Sequence, residues 1–527
     1  MLQESGSSVN MGVAAAKDRV EEAAERVRSG RREFMKLVGA GSAASFMAAT
    51  SQLARAANAD ITGEDVASKA AGERSPYASA WGFAPGLLYM QIGQTGATPK
   101  ASVDSFYKNY QDIAATPQAY TFGQQGWLNQ VAPGFGADPT EITFSFSTTD
   151  GLNRIVYGLD WAPGDELIST NNEESAGISV HGILTDRYGV VVKKANLPTN
   201  DAYSDDEIFN RLTALKTAKT KAILFSSIMY LTGTRLPEKR LCQWAAANGI
   251  ISIVDGAHLP GMIAVDLHDM GCDFMSGAGH KWQCGPGQTG IMYVRNGFTP
   301  NAYVRTIGSA TFNVKGYTNT TPLPKFWPAN SQNYASGGTN ALNKGLRDPA
   351  QNVGVFLQSV GNGSRPSQAT LAEVCGLWDT WGRQNIQDYI VELAQYVRAN
   401  IYEIWGNKVL SVPYNPTLQH VGTTSLTAFN PFAPNFDFNA DLTPAMAATN
   451  STAAANTVTQ IKATNNIVIV TRNTPHSLRS DPTQSANITS GANRNSSTSL
   501  RISMHLWHSH QDVVRVINAL LALVPSP

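Results

Sequence analysis

From Glu141 onward the chain alternates short apolar runs with longer amphipathic stretches. Glu141-Ile142-Thr143-Phe144-Ser145-Phe146 reads as a strand, and Gly151 to Leu159 as the helix after it. Glu166 to Ser169 predicts a second strand, Val190-Val191-Val192 a third, and Asp205 to Ala218 a helix. Lys221 to Ser226 predicts another strand, followed by a helix over Pro237 to Asn248 that Gly249 closes. Ile250-Ile251-Ser252-Ile253-Val254-Asp255 is a nearly unbroken β-branched run, the mark of a strand buried on both faces. Strands of this kind alternating with helices predict an α/β fold with a mostly parallel sheet sandwiched by helices. Ligands in such folds sit beyond the carboxyl ends of the strands, and Asp255 stands at such an end.

Near Ala350 the pattern changes. Gln368 to Tyr402 has helical spacing (Leu371, Val374, Leu377, Trp378, Trp381), with the tryptophans expected in a core or interface. A stretch rich in Asn, Thr, Ala and Pro runs from about Asn430 to Ser499, with one strand expected at Asn466 to Thr471 and loop elsewhere. Leu500 to Ser503 and a helix over Gln511 to Leu523 close the chain. The expected organisation is a segment over 60–120, a large domain over 121–345, and a smaller α+β domain over 346–527 with an insertion at 430–500.

The chain has 527 residues, 42% of them apolar, and a formal net charge of zero. That size allows a large core and at least two domains. Zero net charge gives no electrostatic reason to expect a nucleic acid or an anionic membrane as partner. Ser29-Gly30-Arg31-Arg32-Glu33-Phe34-Met35-Lys36 resembles the twin-arginine export motif. It precedes a mild apolar run, Leu37 to Ala49, too short to span a bilayer, and small-residue cleavage sites near Ala54-Arg55-Ala56 and Ala57-Asn58-Ala59. Residues 1–59 are therefore expected to be an export signal read by the twin-arginine machinery, with a periplasmic destination and no membrane attachment after processing. The four cysteines lie in apolar or glycine-rich contexts without framework spacing, which predicts buried free thiols rather than disulfides or a zinc site.

Candidate chemistry centres on Asp255-Gly256-Ala257-His258 and, one short unit later, His280-Lys281-Trp282. A lysine desolvated in a crowded site is a nucleophile and then a proton shuttle. A carboxylate ending an apolar strand needs a cationic or hydrogen-bonding partner. Pyridoxal phosphate (PLP) asks for that pair: a lysine for its aldehyde and an acid for its pyridine nitrogen.

Asp-x-Ala-His, then His-Lys, then Gly285-Pro286-Gly287-Gln288-Thr289-Gly290 resembles the pattern of class V aminotransferases, which are fold-type I PLP enzymes. Asp-Gly-Ala-His and His-Lys-Trp are most similar to the isopenicillin N epimerase-like branch. The resemblance implies a seven-stranded large domain with a smaller α+β domain. It gives Lys281 and Asp255 the catalytic roles. Ser147-Thr148-Thr149-Asp150-Gly151-Leu152-Asn153 resembles the family's phosphate turn, so Thr148 and Thr149 become the cradle at a helix N-terminus. His258 matches the residue near the cofactor's phenolic oxygen. Gly337-Gly338-Thr339-Asn340 resembles the segment whose threonine, here Thr339, reaches the phosphate in a neighbouring subunit, implying a homodimer with shared sites. Arg501 matches the arginine that takes the substrate's carboxylate. Gly93-Gln94-Thr95-Gly96-Ala97-Thr98-Pro99 resembles the segment that reaches over the site before a helix.

Departures bear on the reaction. Asn172 aligns where the family often stacks a His on the ring, and Ser227 where an Asn or His meets the phenolic oxygen. Ala278 replaces a Ser or Thr before His280-Lys281, with Ser276 as the expected substitute for cofactor contact. No cysteine lies in residues 376–501, so a desulfurase with a loop cysteine is not expected. The expected activity is aminotransferase-type or epimerase-type chemistry at the amino group of a small amino acid or peptide side chain. A C–S lyase is the alternative, and a catalytically inactive binding protein of the same fold the alternative of another class. His505, His508 and His510 have ligand-like spacing, but Ser509-His510-Gln511-Asp512 reads as a helix capping box, and no metal is expected.

Overall fold

The computed structural model describes residues 75–117, 125–197, 204–295, 363–415, 420–432, 444–475 and 496–524, with short pieces between 303 and 360 and at 437–438. The export motif and Thr339 lie outside the described residues. In chain order the strands are β1 Leu88–Tyr89, β2 Ile142–Ser145, β3 Glu166–Thr170, β4 Val191–Ala195, β5 Thr220–Ser226, β6 Ile251–Gly256, β7 Phe274–Ala278, β8 Gly290–Val294, β9 Tyr303–Ile307, β10 Ala310–Val314, β11 Leu426–Phe429, β12 Ile467–Val468, β13 Val470–Pro475 and β14 Ser496–Ser503. The helices that frame the site are α1 Lys100–Ala115, α2 Thr148–Gly158, α3 Ser175–Tyr188, α4 Glu238–Ala247, α5 Arg365–Trp381, α6 Arg383–Trp405, α7 Pro444–Asn465 and α8 His510–Leu521.

The main sheet has seven strands in the order β2-β8-β7-β6-β5-β3-β4. Its five central and edge strands from β7 to β4 pair in parallel, while β8 runs antiparallel to both β7 and β2. This is the α/β architecture with a mostly parallel sheet that the periodicity predicts, with the seven strands that the resemblance implies. Strand alternation divides the core in two. Ile251 and Ile253 face the α2–α3 side with Leu152, Ile155, Val180 and Leu184. Val254, Phe225 and Met275 face the other side with Leu241, Leu371 and Trp378. Both faces are covered, which is why these strands read as continuous apolar runs.

A smaller antiparallel sheet, β11-β14-β13, packs Leu500 and Ile502 against Leu393, Val397 and Ile401 of α6 and Val516 and Ile517 of α8. The N-terminal segment belongs to both bodies. β1 pairs in parallel with β12, Leu88 opposite Ile467, while Tyr77 and Trp81 pack on Trp381. By packing, α5 sits in the core of the large sheet.

Two expectations change. The helical stretch over 368–402 is two helices, because Gly382 at φ +86° breaks it. Much of 430–499, expected as loop, is the 22-residue helix α7. Its alanines favour helix, yet Asn and Thr among them erase the amphipathic pattern from which helices are read. Ala454 and Ile461 anchor it in the smaller core. All four cysteines are free and buried. No helix among the described residues is long and apolar enough to cross a membrane.

Candidate active site

Ser226, Asp255 and Ser276 lie side by side across β5, β6 and β7, one polar row at the carboxyl end of the sheet. They share the face that carries α2 and α3. The row is where apolar strands give way to chemistry.

The N-terminus of α2 meets this row. Ser147 caps the helix by accepting from the Asp150 N–H at 3.1 Å, and Asp150 accepts from the Phe146 N–H at 3.0 Å. The amides of Thr148 and Thr149 precede any helical carbonyl. Thr148 Oγ1 is buried and has no partner, while Thr149 is exposed. Ser276 Oγ donates to the Thr148 carbonyl at 3.0 Å, which pins the helix end to β7. Ser276 therefore holds the cradle from below. The contact is close because residue 151 has no side chain: a Cβ there would lie 2.1 Å from Ser276 Oγ. Gly151→Ala is expected to cost ~1–3 kcal/mol through overpacking and to displace Thr148. A thermal midpoint together with a PLP titration checks both effects.

Asp255 is buried and accepts from the Ala257 N–H at 2.9 Å. Burial pushes its carboxyl up to about 6, against the pull of the Lys281 charge. Lys281 lies in the turn after β7. Burial lowers its ammonium, opposed first by Asp255 and then by Glu174, and assisted by Arg501 and Arg472. His258 is buried, and Trp282 Nε1 donates to its Nδ1 at 3.0 Å. Burial holds the ring well below its ordinary range, so it is neutral with its proton on Nε2. Asn172 is fully buried, and neither amide atom has a partner.

Arg501 enters from β14. Its Nη1 donates to the Tyr230 carbonyl at 2.6 Å, while Nε and Nη2 are buried without partners. Burial and the neighbouring Arg472 lower it to about 9. The segment from Gln91 to Gly96 passes directly over both cations. A Cβ on Gly93 would lie 2.8 Å from Arg501 Nη2, and one on Gly96 2.0 Å from the Lys281 carbonyl. The Gly96 N–H donates to the His280 carbonyl at 2.8 Å. Only glycine permits these approaches.

Several expected residues do other work. Ser227 was expected to contact the cofactor's phenolic oxygen, but its hydroxyl donates to buried Glu238. Glu238 also binds Arg235 and His420, so the serine belongs to the joint with the smaller domain. His280 Nδ1 donates to the Thr289 carbonyl at 2.9 Å and braces the turn that carries Lys281. Four further residues come to the site unannounced. Glu174 caps α3 and faces Lys281. Tyr230 supplies the carbonyl for Arg501. Arg472, on β13, faces the same pocket. Buried Glu173 accepts from Ser226 Oγ at 2.5 Å and Thr170 Oγ1 at 2.6 Å, fixing the loop of Asn172 and Glu174 to the ends of β5 and β3. The Asn171-Asn172-Glu173-Glu174 cluster was a visible signal, and so was an arginine two residues into an apolar strand.

The C-terminal histidines are structural. Ser509 and Asp512 form the capping box of α8. No metal-holding group of side chains occurs among the described residues. His505 stacks between Trp282 and Trp507, and its Nε2 donates to the Trp282 carbonyl at 2.9 Å. His508 Nε2 donates to the Tyr89 carbonyl at 2.9 Å. Burial depresses both rings to about 3, and also His181, whose ring nitrogens have no partner. The unfolded chain binds these protons from the ordinary 6.5 downward, whereas the folded chain refuses them until about 3. Their stability contribution is thus complete above pH 6.5 and falls with pH, by roughly 2 kcal/mol per ring at pH 5. Urea midpoints at pH 7.5 and 5 should differ accordingly, and His181→Met should remove about a third of the difference.

Residues 93–342 match the family described as aminotransferase class-V. That match covers the phosphate turn, Asp255 and Lys281. Isopenicillin N epimerase of Amycolatopsis lactamdurans is 28% identical over 230 residues, 41% of this chain and 58% of the relative. A cysteine desulfurase of Pectobacterium atrosepticum is 33% identical over 219 residues, 39% of this chain and 53% of the relative. The chain spans little more than half the length of these curated relatives. In three dimensions it is similar to C-DES, solved as a mutant with glycine covalently linked to the PLP cofactor. The TM-score is 0.58 at 17% identity, covering 84% of this chain and 97% of that one. This likeness is one of fold and covers more of the chain than residues 93–342.

Proposed function

We propose that this chain is a PLP-dependent enzyme that acts at the amino group and Cα of an amino acid or peptide side chain. The carrying observation is three buried side chains around Asp255 and Lys281 that carry polar atoms without partners. They are Thr148, Asn172 and Arg501, suited in turn to a phosphate, a ring and a carboxylate. Buried polar atoms usually find partners, and although other exceptions occur, as at His181, these three lie around one pocket where a single ligand would satisfy them. Bound there, PLP supplies the electron sink that acidifies the substrate's Cα–H.

The protein's residues then have definite tasks. Thr148 and the free amides of α2 hold the phosphate. Asp255, ionised above about pH 6, holds a proton at the pyridine nitrogen. His258, neutral with its proton on Nε2, would donate to the phenolic oxygen. Lys281, its amine made nucleophilic by desolvation, anchors the cofactor and moves the Cα proton. Arg501 grips the substrate carboxylate and so selects which bond at Cα is labile. Transamination and epimerisation share these tasks and are the favoured reactions. A desulfurase with a loop cysteine is disfavoured, because no cysteine occurs in residues 376–501.

The twin-arginine motif, apolar run and small-residue sites support export of the folded protein to the periplasm. The Thr339 segment supports a homodimer.

Absorbance tests the central reading. Protein loaded with PLP should show the visible band of a lysine-linked cofactor; a chain that stays colourless would sink it. With amino acids added, conversion of the cofactor to its amine form marks transamination. Solvent-deuterium exchange at Cα without that conversion marks epimerisation. Release of sulfide or pyruvate marks lysis.

A further inference from the structure

The smaller sheet brings a second guanidinium to the pocket. β13 pairs antiparallel with β14, placing Val470 opposite Arg501 and Arg472 opposite Ser499. Residues two apart on a strand share a face, so Arg472 and Arg501 are diagonal neighbours, with Cβ atoms about 7 Å apart in such geometry. Both charges bear on Lys281, and Arg472 also bears on Arg501. Arg472 is partly buried. Its Nη1 donates to the Thr471 carbonyl at 2.9 Å, and it forms no ion pair among the described residues.

The charges around it do not balance. Lys281 faces Asp255 and Glu174, Arg472 faces Tyr230 and Glu174, and Arg501 faces Arg472, Tyr230 and Tyr89. Asp255 lies across the pocket, beside Lys281. Glu174 is engaged by the Ala176 N–H at 2.9 Å and by Ser175 Oγ. A single α-carboxylate on Arg501 would satisfy one guanidinium and leave the other. Like charges held on one sheet face repel, and a second anion there would relieve the repulsion.

We propose that Arg472 is a specificity-determining residue that receives a carboxylate on the substrate's side chain. The preferred substrate is then an amino acid with an acidic side chain. This rests on the reading above only in giving the α-carboxylate to Arg501. The sheet geometry then sets Arg472 one side-chain length away.

Glutarate and butyrate test it. Neither has an amine, so neither reacts, and they differ by one carboxylate. Titrated calorimetrically into PLP-loaded protein, glutarate should bind roughly tenfold tighter or better, the worth of one charge-assisted hydrogen-bonded contact. Arg472→Gln should reduce the ratio to about one while keeping the visible band, and Arg472→Lys should retain part of the preference. Equal binding of the two acids by the wild type, or an unchanged ratio in Arg472→Gln, would overturn the proposal. A wild type that lacks the visible band yet still prefers glutarate would overturn the cofactor reading and leave Arg472 as a carboxylate receptor.

Discussion

Lys281→Ala is expected to give a folded protein that takes up PLP without the visible band of a lysine-linked cofactor. Its turnover should fall at least ~10³-fold, since the variant loses a nucleophile and a proton carrier at once. Two features make the fold tolerant. The turn is held by the His280–Thr289 contact and by Gly96 on the His280 carbonyl, not by the lysine side chain. Burial already disfavours the ammonium, so deleting it removes a desolvation cost along with its attraction to Asp255 and Glu174. The thermal midpoint without cofactor should therefore stay near that of the wild type. A small primary amine added in solution should restore part of the turnover if Lys281 carries the Cα proton. Retention of the band in Lys281→Ala would place the covalent link elsewhere.

Asp255→Asn is expected to move activity and stability in opposite directions. The amide keeps an oxygen for the Ala257 N–H, so local geometry survives. It bears no charge to hold a proton at the ring, and turnover should fall roughly 10²–10⁴-fold. Stability follows from the raised carboxyl. Between the ordinary 3.8 and about 6 the folded protein holds a proton that the unfolded chain has lost. The stability associated with this group is therefore complete below pH 3.8 and disappears as pH rises through about 6. The folded wild type pays roughly 2–3 kcal/mol at pH 7 to keep this carboxylate ionised in a buried site. Without cofactor, Asp255→Asn should be more stable than the wild type at pH 7.5 and nearly equal at pH 4. A loss of stability at pH 7.5 would show that Asp255 is a structural anchor.

The large sheet was legible because both its faces are covered. Runs such as Ile250–Asp255 and Lys221–Ser226 admit little other than buried strands. The site was legible where chemistry ends such a run, as at Asp255, or where a turn has a motif, as at Thr148. It was less legible where a polar residue does internal structural work. Ser227 and Ser276 align with site positions, but one binds Glu238 and the other the Thr148 carbonyl, and neither partner is near in sequence. Arg472 and Glu174 were visible as residues, but their place in the site was not. Their relation to Lys281 depends on strand register and on a helix cap, which residue spacing does not encode. The helix α7 escaped because alanine favours helix without marking which face is buried.

The parallel pairing of β1 with β12 has a temporal consequence. Leu88 and Tyr89 are synthesised long before their strand partners, Ile467 and Val468. Arg501, which Gly93 must meet, comes later still. The strip that roofs Lys281 can meet the His280 carbonyl once that turn is made, but its strand partner and Arg501 follow only much later in the chain. Before then the pocket is open to solvent on that side, and the cofactor has an unobstructed approach. Closing of the strip is a late folding event, governed by contacts some 400 residues apart in sequence, and such long loops close slowly.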